Sequence, residues 1–165
     1  MPKITPFLWY DDQAEEAANF YVKVFTDWSG STPGTSKILN VSRYGEGGRV
    51  PAGTVMTVSF QLEGQTFIAL NGGRDHAFTD AVSFLVDCES QAEVDELWAA
   101  FTEGGEEGPC GWLKDQWGLS WQIIPTVLSE LLGDPDPGRA ERATQAMLQM
   151  KKIDIEGLRR AADAA

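Results

Sequence analysis

The order of the predicted elements, which occurs twice along the chain, most constrains what this sequence can fold into. A strand is predicted at residues 3–9, a helix begins after Asp12, and strands follow at 37–44, 54–63 and 65–71. The strand at 54–63 alternates apolar and polar residues, which is typical of a strand with one buried face. The first part of the chain therefore has the order β-α-β-β-β.

The second part of the chain repeats this order. A strand at 81–88 precedes a second helix, and short strands then run to Pro125. Moving the chain by 77 residues places Leu8 on Leu85, together with Phe7 on Phe84, Tyr21 on Trp98 and Val24 on Phe101. The apolar pattern matches more often than the residues do, and this favours an old duplication.

Capping signals mark the starts of both helices. Asp12 and Glu15 have the spacing of a capping box, and Ser90 and Glu93 have the same spacing before the second helix. We therefore expect Asp12 and Ser90 to be the N-cap residues.

The chain turns helical after Pro125. Helices are predicted at 126–132, at 139–150 and after Asp154, and their apolar residues recur at helical spacing. Helices this short are not stable in isolation. The tail is therefore expected to dock on its own sheet or on a partner chain.

These patterns predict the domain organisation. We expect a paired α+β domain over residues 1–125, with halves of about 1–73 and 80–125. A C-terminal helical extension is expected over 126–165.

The acidic composition narrows the possible partners. The formal net charge is −12, and no basic cluster offsets it. Non-specific binding to nucleic acid requires a basic surface, so nucleic acid is not an expected partner. A membrane is not expected either, because no apolar run approaches the roughly 20 residues of a membrane span and the N-terminus does not resemble a signal peptide. The two cysteines indicate reduced thiols and a cytoplasmic protein.

Residues 110–125, CGWLKDQWGLSWQIIP, form the most distinctive segment. Strand-like runs at 111–116 and 119–125 flank a bend at Trp117-Gly118. Three tryptophans fall in these sixteen residues, and indole rings provide wide apolar walls with one donor each. The segment therefore suits a hairpin that lines a pocket, and the alternative is a hairpin whose tryptophans only pack in the core.

Five strings along the chain carry a family resemblance. They are ITPFLWYDDQAEEAANFYVKVF, LNGG, AVSFLVDC, CGWLKDQWGLSWQIIP and AMLQMKKIDIEGL. They resemble the PhnB-like branch of the glyoxalase, bleomycin-resistance and vicinal oxygen chelate superfamily, which is often labelled 3-demethylubiquinone-9 3-methyltransferase-like. The resemblance covers nearly the whole chain. It implies tandem βαβββ units that form a cupped mixed sheet, and it implies a homodimer.

The methyltransferase label does not fit the start of the sequence. Enzymes of that reaction usually hold S-adenosylmethionine at a glycine-rich turn after the first strand of a doubly wound sheet. Here the first strand leads into YDDQAEEAANFY, which has no glycine. Close approach of the backbone to a nucleotide requires glycines at that turn.

The resemblance also implies positions for divalent-metal ligands on the first and last strands of each half. In this chain the matching positions carry Ile4 or Thr5, Ala69, Ala81 and Gln122. Ile and Ala cannot ligate, and one amide oxygen does not hold a divalent ion against water. We therefore expect no metal ligands and no cofactor.

The predicted ligand site lies in the cup. Its expected residues are Trp9, Asn71, Trp112, Asp115, Trp121 and Gln122. Asp115 either orients a ligand or is a hairpin-turn carboxylate, and Asn71 is either a site residue or part of an ordinary turn.

Cys110 and His76 are the candidates for a catalytic group. A nucleophilic cysteine needs a cationic or imidazole neighbour, and Lys114 is close in sequence but lies on the strand that follows. His76 is the only histidine, and an imidazole can serve as a general acid or base. The alternatives are an inert turn cysteine and a surface histidine.

The leading prediction of function is a PhnB-like protein that binds a small organic molecule in the cup without a catalytic metal. One alternative is a metal-dependent lyase or dioxygenase of the same superfamily. Another is a non-catalytic structural dimer whose cup is filled by side chains.

Overall fold

The structure, a computed structural model, describes residues 2–164. The chain divides into two compact units, one ending at Phe78 and the other beginning at Thr79. Each unit contains one four-stranded sheet and a helix between its first two strands. The α+β class and the repeated order of elements are therefore confirmed.

The first unit is one βαβββ motif. Its elements are β1 (Phe7–Tyr10), α1 (Ala14–Asp27), β2 (Lys37–Arg43), β3 (Val55–Leu62) and β4 (Gln65–Asn71). The strand order is β1-β4-β3-β2, with β1 parallel to β4 and the other pairs antiparallel.

Helix α1 covers one face of the first sheet. Alternation along the strands places Leu8, Tyr10, Val58, Phe60 and Ala69 on that face, where all are buried. We call the opposite face, which carries Phe7, Trp9, Thr57, Ser59, Ile68 and Leu70, the first open face.

The second unit repeats the motif and adds three helices. Its elements are β5 (Ser83–Cys88), α2 (Gln91–Thr102), β6 (Glu106–Glu107), β7 (Trp112–Lys114), β8 (Ser120–Pro125), α3 (Thr126–Leu132), α4 (Pro137–Met147) and α5 (Ile155–Asp163). The strand order is β5-β8-β7-β6, which is the order of the first sheet.

Helix α2 covers one face of the second sheet through an aromatic contact. The ring of Phe101 stacks on Trp121 at 4.7 Å between centroids, and Leu113 and Ile123 are buried on the same face. We call the opposite face, which carries Ser83, Leu85, Trp112, Lys114, Ser120 and Gln122, the second open face.

The tail helices pack within the second unit. The tail core is the cluster of buried residues Ile124, Leu128, Leu131, Ala143, Ile153, Leu158 and Ala162. The backbone N–H groups of Cys110 and Gly111 donate to the carbonyls of Met150 and Lys151, each at 2.8 Å. The tail is therefore attached to its own sheet by apolar packing and by backbone hydrogen bonds.

The two helices begin differently from each other. Ser90 caps α2 as predicted, because its hydroxyl accepts a hydrogen bond from the Glu93 N–H. The prediction of Asp12 for α1 is wrong: the N–H of Ala14 donates to the side-chain oxygen of Asn71 at 2.8 Å. The cap comes from the end of β4, which the parallel pairing places beside Tyr10.

The shift of 77 residues aligns the helices but not the first strands of the two halves. Tyr21 and Trp98 are both buried, whereas Leu8 is 6% exposed under α1 and Leu85 is 52% exposed on the second open face. A shift of 78 residues places Phe7, on the first open face, on Leu85. The first unit has one more residue between its first strand and its helix than the second unit has. This explains the different exposure of Leu8 and Leu85, because a slip of one residue exchanges the faces of a strand.

Across residues 2–164, no helix has the length and apolar character that crossing a membrane requires.

Candidate ligand site

The hairpin between β7 and β8 is built around the carboxylate of Asp115. This side chain is 3% exposed. One oxygen accepts from the N–H groups of Trp117 and Leu119, and the other accepts from the indole N–H of Trp121, each at 3.0 Å. Gly118 completes the turn with a φ of 85°. The carboxylate therefore fixes the course of both strands.

Two of the predicted site residues lie behind the second sheet. Trp121 is 2% exposed and packs between Phe101 and Phe84 on the face covered by α2. Asp115 is hydrogen-bonded to this ring and lies on the same side. These contacts make both residues part of the packing that supports the second open face.

Trp112 and Gln122 lie side by side on the second open face. They are register partners in the antiparallel pair of β7 and β8. The side-chain amide of Gln122 donates to the hydroxyl of Ser83 at 2.9 Å, and the Trp112 side chain is half-buried. An indole and an amide are thus next to each other on this face.

An ion pair lies at the same face. The ammonium of Lys114 is 3.2 Å from a carboxylate oxygen of Asp80, and the hydroxyl of Ser120 donates to that same oxygen at 3.2 Å. Sequence reasoning missed Asp80, because it lies in the loop before β5 and is 40 residues from Ser120. The parallel pairing of β5 with β8 brings the two together, and no local pattern indicates it.

A cavity of about 470 Å³ opens beside this ion pair. Its walls include Trp112, Lys114, Asp80, Cys110 and the edge strand β6. Most of the wall is apolar, and the polar groups are concentrated at Asp80, Lys114 and the two glutamates of β6.

The two cysteines have different surroundings. Cys110 is half-buried at the cavity wall, with a φ of 56° and its N–H bonded to the tail at Met150. Cys88 is buried in the core, and burial, with smaller effects of Glu93 and Asp87, raises the pKa of its thiol to about 12. Cys88 is therefore a protonated core residue at neutral pH.

The remaining predicted residues lie in the first unit. The indole N–H of Trp9 donates to the Gly73 carbonyl at 2.8 Å, and the ring of His76 meets Trp9 edge-on at 4.6 Å. A Cβ at Gly72 would lie 2.4 Å from Trp9, so this position requires glycine. Trp9 and His76 thus form one cluster at the end of β4.

The amide of Asn71 has structural partners on both sides. Its oxygen accepts from Ala14, and its nitrogen donates to the carbonyl of Val55 at 3.1 Å. This residue joins α1 to β3 and β4.

The donor groups on the open faces do not fit a divalent metal. Alternation places Ala69, the position that the resemblance implied, under α1, and its neighbours Ile68 and Leu70 on the first open face carry no ligating atom. The second open face offers the hydroxyls of Ser83 and Ser120 and the amide of Gln122. Two carboxylates also border this face, those of Glu106 and of Asp80, which is paired with Lys114. Within residues 2–164, no group of three or more His, Cys, Asp or Glu side chains is placed to hold a metal ion.

Two βαβββ units with this strand order define a protein of the glyoxalase and bleomycin-resistance superfamily. The model of the family described as 3-demethylubiquinone-9 3-methyltransferase matches residues 2–124. The chain is 34% identical to the PhnB protein of Bacillus cereus over 76% of its own length and 100% of that chain, with a TM-score of 0.63. It therefore belongs to this family, in the PhnB-like branch.

More distant structures share the fold. Protein PA1353 of Pseudomonas aeruginosa is 18% identical over 76% of this chain and 98% of its own, with a TM-score of 0.58. The fosfomycin resistance protein FosX of Listeria monocytogenes is 14% identical over 79% of this chain and 97% of its own, with a TM-score of 0.52. No curated protein matches the chain.

Proposed function

We propose that the protein binds a small organic molecule on the second open face, in the cavity beside Trp112. The cavity itself carries the proposal, because its volume of about 470 Å³ lies in the range of roughly 300–1,000 Å³ that is usual for small-molecule pockets. Pockets of this kind combine apolar walls with a few polar groups, and Trp112 with Ser120 and Lys114 provides that combination in the cavity wall.

Binding at this face would use the indole as a wall and the amide as a specific contact. The Asp115 turn holds β7 and β8 in register, so Trp112 and Gln122 are positioned before a ligand arrives. Such preorganisation lowers the entropy lost on binding.

Neither methyl transfer nor metal-assisted catalysis is part of the proposal. The residues between β1 and α1 include no glycine, so the turn that would approach a nucleotide is missing from that position. The second open face carries hydroxyl and amide groups and the carboxylates of Asp80 and Glu106, and within residues 2–164 no three His, Cys, Asp or Glu side chains converge on one centre.

We also propose that the protein is a homodimer. Phe7 is 57% exposed on the first open face and Leu85 is 52% exposed on the second. Large apolar side chains on sheet faces are commonly covered by a second copy, and two-fold dimers are the commonest soluble assemblies. Light scattering on a size-exclusion column tests this proposal, and a monomer at micromolar concentration would contradict it.

A fragment screen by thermal shift tests the ligand site. Hits should stabilise the protein, and Trp112→Ala should weaken their binding by about tenfold or more, since a fully buried apolar contact of this size is worth roughly 1.5–3 kcal/mol. Gln122→Ala should weaken them by about 0.5–1.5 kcal/mol. Leu148→Ala, on the exposed tail surface, is the control and should leave binding unchanged.

Two results would contradict these proposals. Hits whose affinity is the same in Trp112→Ala and in the unchanged protein would place binding away from this cavity. A stoichiometric metal that survives dialysis of tag-free protein would remove the metal-free part of the proposal.

A further inference from the structure

Acidic side chains outnumber basic ones in the lining of the cavity. Asp80, Glu106 and Glu107 line it with three carboxylates, and Lys114 is the basic side chain in the lining. The Lys114 ammonium is already paired with Asp80 at 3.2 Å. One oxygen of Glu107 accepts from the indole N–H of Trp98 at 2.8 Å, on the side of the sheet covered by α2. Glu107 keeps its charge but directs one oxygen to Trp98, and among the residues that the structure describes Glu106 is the carboxylate on the face of Lys114 that is left without a paired cation.

Glu106 is exposed at the edge strand β6, on the same face as Trp112. It is the register partner of Lys114, and Trp112 is two residues from Lys114 along β7. Diagonal neighbours of this kind in an antiparallel pair lie about 7–8 Å apart, within reach of long side chains. Within residues 2–164, no donor forms a hydrogen bond with the Glu106 carboxylate. A free carboxylate and an indole thus border the same cavity.

We infer that the ligand of this cavity is an organic cation, an ammonium group carried by an apolar body. This inference rests on the proposed function. A cation between Glu106 and Trp112 gains a charge-assisted contact with the carboxylate and a cation–π contact with the indole. Lys114 is not free to bind an anion, because Asp80 neutralises it, and an anion would also face Glu106. The net charge of −12 favours the approach of cations.

The test compares four probes that share one ring and differ in charge: benzylamine, benzyltrimethylammonium, benzyl alcohol and benzoate. Calorimetric titration at low ionic strength should rank both ammonium probes above the alcohol by about 3- to 30-fold, which corresponds to the usual strength of a cation–π contact. Benzoate should bind weakest. Added salt should reduce the difference between the ammonium probes and the alcohol, since salt screens exposed charges.

Matched variants assign the preference to Glu106. Glu106→Gln should weaken both ammonium probes toward the affinity of benzyl alcohol and leave the alcohol unchanged. Glu130→Gln removes the same charge from an exposed position on α3, outside the cavity wall, and should change no affinity. Trp112→Phe should retain part of the ammonium preference, and Trp112→Ala should abolish it. Thermal melts confirm that each variant is folded.

The outcomes separate this inference from the proposed function. In one outcome, benzyl alcohol or benzoate binds as tightly as the ammonium probes and still loses affinity in Trp112→Ala. This result overturns the inference of a cationic ligand and leaves the cavity as a ligand site. An ammonium preference that survives Glu106→Gln also overturns it. If none of the four probes binds, the cation inference fails, and the fragment screen then decides the cavity proposal separately.

Discussion

At the scale of single residues, Asp115 carries the contacts on which the second open face depends. Burying a carboxylate is costly unless hydrogen bonds compensate it, and here three N–H donors do so. Two of them close the turn and the third orients Trp121, whose ring then stacks on Phe101. Of the two interpretations that the sequence left open for Asp115, a ligand contact or a hairpin-turn carboxylate, these hydrogen bonds favour the second.

Replacement of Asp115 by asparagine should lower the free energy of unfolding by about 1.5–3 kcal/mol. The hydrogen bonds to a charged acceptor are lost, and the NH2 group of the new amide would face the N–H donors that now bind the carboxylate. Urea denaturation followed by tryptophan fluorescence measures the change. The control is Asp87→Asn, the same substitution at an exposed position of β5, and it should stay within about 0.5 kcal/mol of the unchanged protein. Equal effects of the two substitutions would contradict the structural role of Asp115.

At the scale of elements, α1 depends on a residue distant in sequence. The parallel pairing of β1 with β4 places Asn71 beside Tyr10, and the Asn71 amide then lies at the first N–H of the helix. An acceptor at this position satisfies one of the donors that a helix start leaves unpaired. Formation of the sheet and the start of the helix are thus coupled.

Asn71→Ala should destabilise the protein by about 0.5–2 kcal/mol, the usual effect of losing a cap, whereas Asp12→Ala should cost only a few tenths. Chemical denaturation of the two variants gives the comparison. Asn71→Asp keeps the acceptor and loses the donor to Val55, so its stability should lie between that of Asn71→Ala and the unchanged protein. A larger loss of stability in Asp12→Ala than in Asn71→Ala would contradict the role of Asn71 and support the capping box that the sequence predicts.

At the scale of the whole molecule, the tail completes the core of the second unit. Ile124 lies at the end of β8 and belongs to the tail core together with Ile153 and Leu158, which are both fully buried. The side chain of Gln91, in the first turn of α2, donates to the Ile153 carbonyl and accepts from the N–H of Ile155. Tail, helix and sheet therefore share one network of contacts.

Truncation after Thr126 should expose this core and lower both solubility and melting temperature. The milder variant Leu158→Ala should lower the free energy of unfolding by about 2–5 kcal/mol, as is usual for a leucine in a packed core. Leu148→Ala is the control, because Leu148 is 51% exposed in the same tail. Thermal melts and light scattering measure these effects. A truncated protein with unchanged melting temperature and unchanged mass in solution would show that the tail is dispensable.

The sequence by itself determined the elements that depend on neighbouring residues. Apolar alternation identified β3, and β4 and α3 were predicted with the bounds that the structure has. Ser90 was identified as a cap because a cap and its helix are adjacent in sequence. The residue strings also identified the family, since they are spread along the chain from Ile4 to Leu158.

For the hairpin of β7 and β8, only the tertiary structure decided which face each side chain occupies. Trp112 lies on the open face and Trp121 in the core, although both belong to the same tryptophan-rich hairpin. Strand pairings between distant segments place Asp80 at the candidate site and Asn71 at the start of α1. The physical reason is that successive side chains of a strand point to opposite faces of the sheet. An error of one position in the predicted strand therefore moves a residue from the core to the open face, and the sequence pattern does not resolve a difference that small.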